Sequence, residues 1–272
     1  MKRRRLKTGD GLDDEGFIVS DVNLKLIDDV YMPFIRESVE KLKNSFSRNL
    51  HSVYVYGSVA RGDAIQCKSD LDLLAVYQEQ LSSDQSSHLK LLAEQLSYKA
   101  NLLFREVGIA VGYYDYIMDP ANYYEQAFLK ELCVCLYGED LRPRFGPYKL
   151  TPEIAISFNG DICDVLQRTM RRISIASDEE FKSITQGFAR KLIRTYYSTV
   201  MARSQIWSTR LNEQSEVFIH HFPMKEANVR TILNWAAGAS IDRNICIKLF
   251  SEEGQWLCEN FFNEANKTND TD

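Results

Sequence analysis

The apolar residues of this chain follow two different rhythms. From about residue 50 they come in short unbroken runs. Val53 to Tyr56 stops at Gly57-Ser58, and after a turn-rich stretch the pattern resumes as Asp70-Leu71-Asp72-Leu73-Leu74-Ala75-Val76. These runs predict two strands joined by a turn-rich connection, and Arg105 to Tyr113, REVGIAVGY, predicts a third. Helical spacing surrounds them. Ile27, Val30, Tyr31, Phe34, Ile35, Val39 and Leu42 mark an opening helix, with Pro33 as a kink or a late start. Leu89, Leu92, Ala93, Leu96 and Ala100 mark a second helix capped by Ser82 or Ser83. Residues 119–141 read as a helix leading into an apolar segment and a glycine turn.

Pro143, Gly146, Pro147 and Pro152 then cluster, which predicts a domain boundary. Beyond it the rhythm is wholly helical. Four stripes follow: Ile162, Val165, Leu166, Met170 and Ile173; Phe188, Leu192, Tyr196 and Val200; Val229, Ile232, Leu233 and Ala236; Leu249, Phe250, Leu257 and Phe261. The expected organisation is α+β: a flexible lead-in over 1–20, a sheet-containing domain over 21–147, an all-α antiparallel bundle over 148–266, and a disordered tail over 267–272.

Composition narrows the function classes. Apolar content of 44% and charged content of 26% are those of a soluble globular protein. A net charge of −5 argues against a general nucleic-acid binder and is compatible with a cationic small molecule. The six cysteines lack metal-ligand spacing with histidines and read as reduced thiols in a cytoplasmic protein. No apolar run approaches a membrane span, and the basic start, Met1 to Arg5, reads as a frayed arm rather than a secretory signal.

The chemistry concentrates at the first two strands. Strand side chains alternate, so Asp70 and Asp72 share one face while Leu71 and Leu73 enter the core. Two carboxylates about 5 Å apart repel by roughly 3 kcal/mol at an effective dielectric of 20, whereas a divalent cation between them attracts both more strongly. Hard oxygen ligands with positions left for water and phosphate suit Mg²⁺. Gly57 at a strand end permits close backbone approach, and a helical turn after it would aim N–H groups and the Ser58 hydroxyl at an anion.

Gly57-Ser58, Arg61-Gly62 and Ser69-Asp70-Leu71-Asp72 together resemble the signature of polymerase-β-like nucleotidyltransferases. The resemblance implies a small mixed sheet flanked by helices and transfer of a nucleoside monophosphate from a triphosphate to an acceptor. It implies Asp70 and Asp72 as metal ligands and Ser58 and Ser69 on the phosphates. A donor hydroxyl also needs a base, worth on the order of 10²–10⁴ in rate. The antibiotic-modifying branch has a Glu where Glu106 stands; Asp115 is the rival, and the plainer reading is a surface glutamate paired with Arg105.

The helical half adds a second resemblance. Phe188 to Val200, FARKLIRTYYSTV, is similar to a helix of the streptomycin and spectinomycin adenylyltransferases, which implies that Arg194 contacts nucleotide phosphates. A small-residue-then-lysine step of that branch is matched by Thr209-Arg210, with Arg203 as the alternative. The solvated face of a helix explains Arg190, Lys191 and Arg194 as well, and is preferred for Lys191. The branch has a tryptophan before this helix; here Ile173 to Glu180 offers acids without an aromatic, and a Ser177 N-cap accounts for the acids equally. The expectation is a Mg²⁺-dependent enzyme moving AMP from ATP to a hydroxyl of a small acceptor, an aminoglycoside-like antibiotic being one such acceptor. AMP transfer to a protein, as in toxin–antitoxin pairs, is the alternative activity, and an inactive binding module is the alternative of another class.

Overall fold

The computed structural model describes residues 10–268, so the basic start and the end of the polar tail lie outside the described residues. By its internal contacts the chain forms two units: residues 19–147, and residues 148–268 together with 10–18.

In the first unit helix α1 (Met32–Phe46) precedes strand β1 (Leu50–Tyr56), with Pro33 in its first turn, where a missing N–H costs nothing. Pro33 therefore marks a late start, not a kink. A single turn, α2 (Gly57–Ala60), leads toward β2 (Leu71–Tyr77); α3 (Ser83–Lys99) and β3 (Val107–Tyr113) follow. Ser82 caps α3 in a reciprocal box with Gln85. Then come α4 (Tyr114–Met118), α5 (Tyr123–Leu132) and β4 (Cys133–Gly138).

The sheet order is β3-β2-β1-β4, with β1 antiparallel to both β2 and β4, and β2 parallel to β3. This is the mixed sheet that the family resemblance implies. One face carries Val53, Val55, Leu71, Leu73 and Ala75, all fully buried in a core that includes Ile35, Val39 and Leu42 of α1 and Leu89, Leu92 and Leu96 of α3. The other face carries Tyr54, Tyr56, Asp72 and Leu74, and α4 and α5 lie toward it: Phe128 meets the Tyr56 ring edge-on at 5.1 Å.

In the second unit α6 (Pro152–Asn159), α7 (Ile162–Ile175), α8 (Asp178–Ser204), α9 (Leu211–His221), α10 (Glu226–Ala236) and α11 (Arg243–Ala265) pack around α8. Phe188, Leu192, Tyr196 and Val200 form the buried stripe of α8, as their spacing predicts. Tyr196 stacks on Phe218 at 4.5 Å and Phe188 meets Phe250 at 4.9 Å. Buried among them, Glu253 accepts bonds from Lys225 (2.8 Å), Asn228 (2.6 Å) and the Tyr196 hydroxyl. Burial alone would raise its pKa, but these donors outweigh it and hold the carboxyl below its ordinary value.

From Asp10 onward the lead-in, expected to be flexible over 1–20, makes specific hydrogen bonds. Asp13 Oδ1 accepts the Glu15 and Phe17 N–H groups, Phe17 bridges to Lys149, and the Trp207 N–H donates to Asp10 O at 2.8 Å. The glycines and acids there form a tight turn that brings Phe17 and the buried Ile18 onto the helical unit. No helix among the described residues is long and apolar enough to cross a membrane.

One buried carboxyl makes stability depend on pH. Glu131 on α5 is 2% exposed, and burial pushes its pKa from 4.5 up to about 7. Because the folded value exceeds the unfolded one, stability is fully present below about pH 4.5 and is lost as pH rises through about 7. Glu131→Gln should therefore flatten the pH dependence between pH 4.5 and 8 by roughly 2–3 kcal/mol, read from urea unfolding at the two pH values.

Candidate active site

The site is built where β1 ends and β2 begins. Tyr56 pairs with Asp72 on one side and Gly108 pairs with it on the other, so Asp72 lies at the centre of a three-strand ladder. The chain after Tyr56 turns through Gly57 at φ +74°, a conformation L side chains resist, and a Cβ there would stand 2.5 Å from Asp72 Oδ2. Gly57 thus lets the backbone of the turn close directly onto the carboxylate. At Gly108, on the other side, a Cβ would make only an ordinary contact, 3.7 Å from Oδ1, so the tight approach is confined to Gly57. The N–H groups of the α2 turn follow immediately, and Ser58, half-buried within it, accepts the Asp63 N–H on its carbonyl at 2.9 Å.

The ladder continues one step beyond the ends of β2 and β3. Leu71 N donates to Glu106 O at 2.9 Å and Arg105 N to Ser69 O at 3.0 Å, which sets Asp70 beside Glu106. Alternation carried back from Gly108 brings the exposed Glu106 to the face of Asp72. Ser69 uses its hydroxyl oxygen to accept the Ile65 N–H at 2.9 Å, closing the approach to Asp70 and keeping its own O–H as a donor.

Arg105, which the plainer reading gives to Glu106 as a partner, reaches Asp70. Its guanidinium grips Asp70, Nε to Oδ1 at 2.9 Å and Nη2 to Oδ2 at 2.5 Å. Among the described residues no three acid, histidine or cysteine side chains converge as a metal cluster would. The donor chemistry of Asp70 and Asp72 still fits a hard divalent ion, and the fork on Asp70 shows that this carboxylate already draws a cation. Both acids can serve one ion only if Asp70 turns from Arg105.

Asp115 is placed at the other end of the sheet. It lies in α4, beyond the last residue of β3, while Asp72 is level with Gly108; the five strand steps between Gly108 and Tyr113 span roughly 17 Å. Glu106 is the acid at the Asp72 end of the sheet. The sequence reading missed the aromatic wall beside Asp72, where Tyr56 meets Phe128 and Phe128 stacks on Tyr124 at 5.9 Å. Burial raises the pKa of Glu125 on the same helix. The Tyr-Tyr-x-x-x-Phe spacing was visible, but nothing in it marked that face.

The remaining expected residues belong to the helical unit. Arg194 is exposed on α8, and Arg210 immediately precedes α9, its N–H donating to Ser208 Oγ at 3.1 Å. Tyr197, one turn on from Arg194, donates to Ile206 O at 2.6 Å and accepts the Ser208 N–H at 3.2 Å, which fastens the segment before Arg210 to α8. Arg203 pairs instead with Glu264 at 2.9 Å, and Lys191 with Asp161 at 2.6 Å. Ser177 caps α8 in a reciprocal box with Glu180, and Asp178 pairs with Arg243 at 2.8 Å, so this acid cluster is a helix start.

Residues 40–110, which hold β1, the Gly-Ser turn, β2 and the start of β3, match the model of the family "Polymerase beta, Nucleotidyltransferase". Among solved structures, the chain is similar in fold to spectinomycin adenyltransferase AAD(9) from Enterococcus faecialis, whose crystal structure holds ATP and spectinomycin. The identity is 16%, the likeness covers 82% of this chain and 99% of that one, and the TM-score is 0.52. No curated protein sequence matches the chain. Residues 40–110 therefore carry the match to the polymerase-β nucleotidyltransferase domain that the Gly-Ser and Asp-x-Asp motifs predict.

Proposed function

We propose that the protein is an adenylyltransferase that moves AMP from ATP to a hydroxyl of a small, amine-bearing acceptor. The observation that carries this reading is the Asp72 carboxylate lodged against Gly57 inside the family-matched segment, with Glu106 on the same side of the sheet. The likeness to a protein holding ATP and spectinomycin supports ATP as donor and an aminocyclitol or aminoglycoside as acceptor. The net charge of −5 suits a cationic acceptor.

In this reading Asp70 and Asp72 hold Mg²⁺, which when bound supplies charge neutralisation at the phosphates. The α2 turn, Gly57, Ser58 and Ser69 receive phosphate oxygens. Glu106 takes the proton of the acceptor hydroxyl as its oxygen bonds to the α-phosphorus; the bond to the β-phosphate oxygen breaks and pyrophosphate leaves. Arg194 and Arg210 are assigned to the triphosphate on the resemblance of their helix. The tryptophan of the antibiotic branch has no counterpart before α8, so the acceptor need not be streptomycin.

The direct test is incubation of the full chain with labelled ATP, Mg²⁺ and a panel of aminoglycosides and aminocyclitols. Adenylylated product with equimolar pyrophosphate is expected, and labelling of protein alone would replace this reading with AMP transfer to a polypeptide. Asp72→Asn should abolish metal-dependent turnover and shrink the thermal stabilisation given by Mg-ATP while the apo fold persists.

Glu106→Gln should keep Mg-ATP binding and lose about two to four orders of magnitude in kcat. Asp115→Asn should be nearly silent, and the reverse result would overturn the assignment of the base. Arg194→Ala should weaken ATP binding by about 1.5–3 kcal/mol at low salt, measured by calorimetry. Unchanged affinity would return Arg194 to a solvated helix face.

A further inference from the structure

The fork from Arg105 to Asp70 is an ion pair of unusual position. Both oxygens of one expected metal ligand are taken by a single guanidinium, at 2.9 and 2.5 Å, and the partner stands next in sequence to the expected base. The pair is neither deep nor fully exposed, the side chains being 39% and 24% accessible for Arg105 and Asp70. It is also held from behind: the Arg105 N–H bonds to Ser69 O and the Leu71 N–H to Glu106 O, so the two backbones stay in register whether or not the side chains part. That combination, a fixed frame and a releasable contact, is what an exchangeable counter-ion needs.

A carboxylate cannot keep a bidentate guanidinium and also take a divalent ion about 2 Å away without bringing the two cations into strong repulsion. We propose that Arg105 is the internal counter-cation of Asp70, and that metal enters this site by exchange with it. Arg105 is then a positioning residue. It holds the Asp70 charge neutralised while no ion is bound, and it sets a threshold that a free metal ion must overcome. The inference rests on the reading of Asp70 and Asp72 as metal ligands.

Mn²⁺ binding to the full chain without nucleotide, followed by the loss of the free-ion electron paramagnetic resonance signal, tests it without any turnover. Arg105→Gln should bind Mn²⁺ at least fivefold tighter than wild type, and Arg105→Lys, which keeps the charge but not the fork, should fall between them. Adding Asp70→Asn to Arg105→Gln should erase the gain. Thermal midpoints of each variant show whether it is folded, and Arg105→Lys carries the comparison if Arg105→Gln is not. Affinities within twofold across the Arg105 series, or no binding in any of them, would overturn the proposal. If Asp70→Asn and Asp72→Asn each abolish wild-type Mn²⁺ binding while the Arg105 variants change nothing, only the exchange fails. If those two leave binding unaltered, the metal reading itself fails.

Discussion

Everything at this site depends on the register of three strands. With Val55 opposite Leu73 and Tyr56 opposite Asp72, the apolar side chains of β1 and β2 fall on the face covered by α1 and α3, and Asp72 falls on the other. A slip of one residue would drive the Asp72 carboxylate into the core and expose Leu71 and Leu73. The burial of a charge without partners costs several kcal/mol and the lost apolar burial adds about 1.5–3 kcal/mol per side chain, so the slipped register is closed. The face on which the acid lies is thus set by the hydrophobicity of its neighbours.

The same frame decides what the acid meets. Parallel pairing of β3 with β2 brings the start of β3 level with the start of β2, so Glu106 and Arg105 arrive beside Asp70 while Asp115 is carried to the other end. Antiparallel pairing of β1 brings its last residue to that same end, and there the chain must turn sharply against Asp72, which only a glycine at positive φ allows. One mixed sheet therefore gathers the Gly57-Ser58 turn, Asp70 and Asp72, and Arg105 with Glu106 from three separate stretches of sequence.

Much of this was legible in the sequence because it rests on local rules. Unbroken apolar runs gave β1 and β2, alternation put Asp70 with Asp72, and the capping residues Ser82 and Ser177 open α3 and α8 with the acids of α8 in its first turn. What was hidden depends on pairing between distant segments. Arg105 lies next to Glu106 in sequence, and nothing local says that it reaches across to Asp70, 35 residues away. The choice between Glu106 and Asp115 needs the direction of β3, which alternation does not encode. Helix α6 is too short to show a stripe, α9 buries the polar Glu213, Gln214 and Ser215 and so hides its own, and residues 10–18 were read by their glycines although Phe17 and Ile18 carry the contact.

The helical unit presents its cations by a different route, from burial on one side of a long helix. From Thr195 to Ala202 every residue of α8 is buried, so this part of the helix is fixed by packing, and Arg194 stands at the edge of that block. Tyr197, within the block, is fully desolvated; burial raises its pKa, so its hydroxyl remains protonated and bonds both Ile206 and Ser208. Those two bonds hold the segment that ends at Arg210 against the helix that carries Arg194. Two arginines sixteen residues apart in sequence are thereby mounted on one rigid frame. An anion that engaged them would meet side chains carried on backbone that is already in place, with no loop to fold. The Tyr-Tyr pair after Arg194 has its physical meaning here: one ring, Tyr196, anchors α8 to Glu253 and Phe218, and the other anchors the arginine-bearing segment to α8.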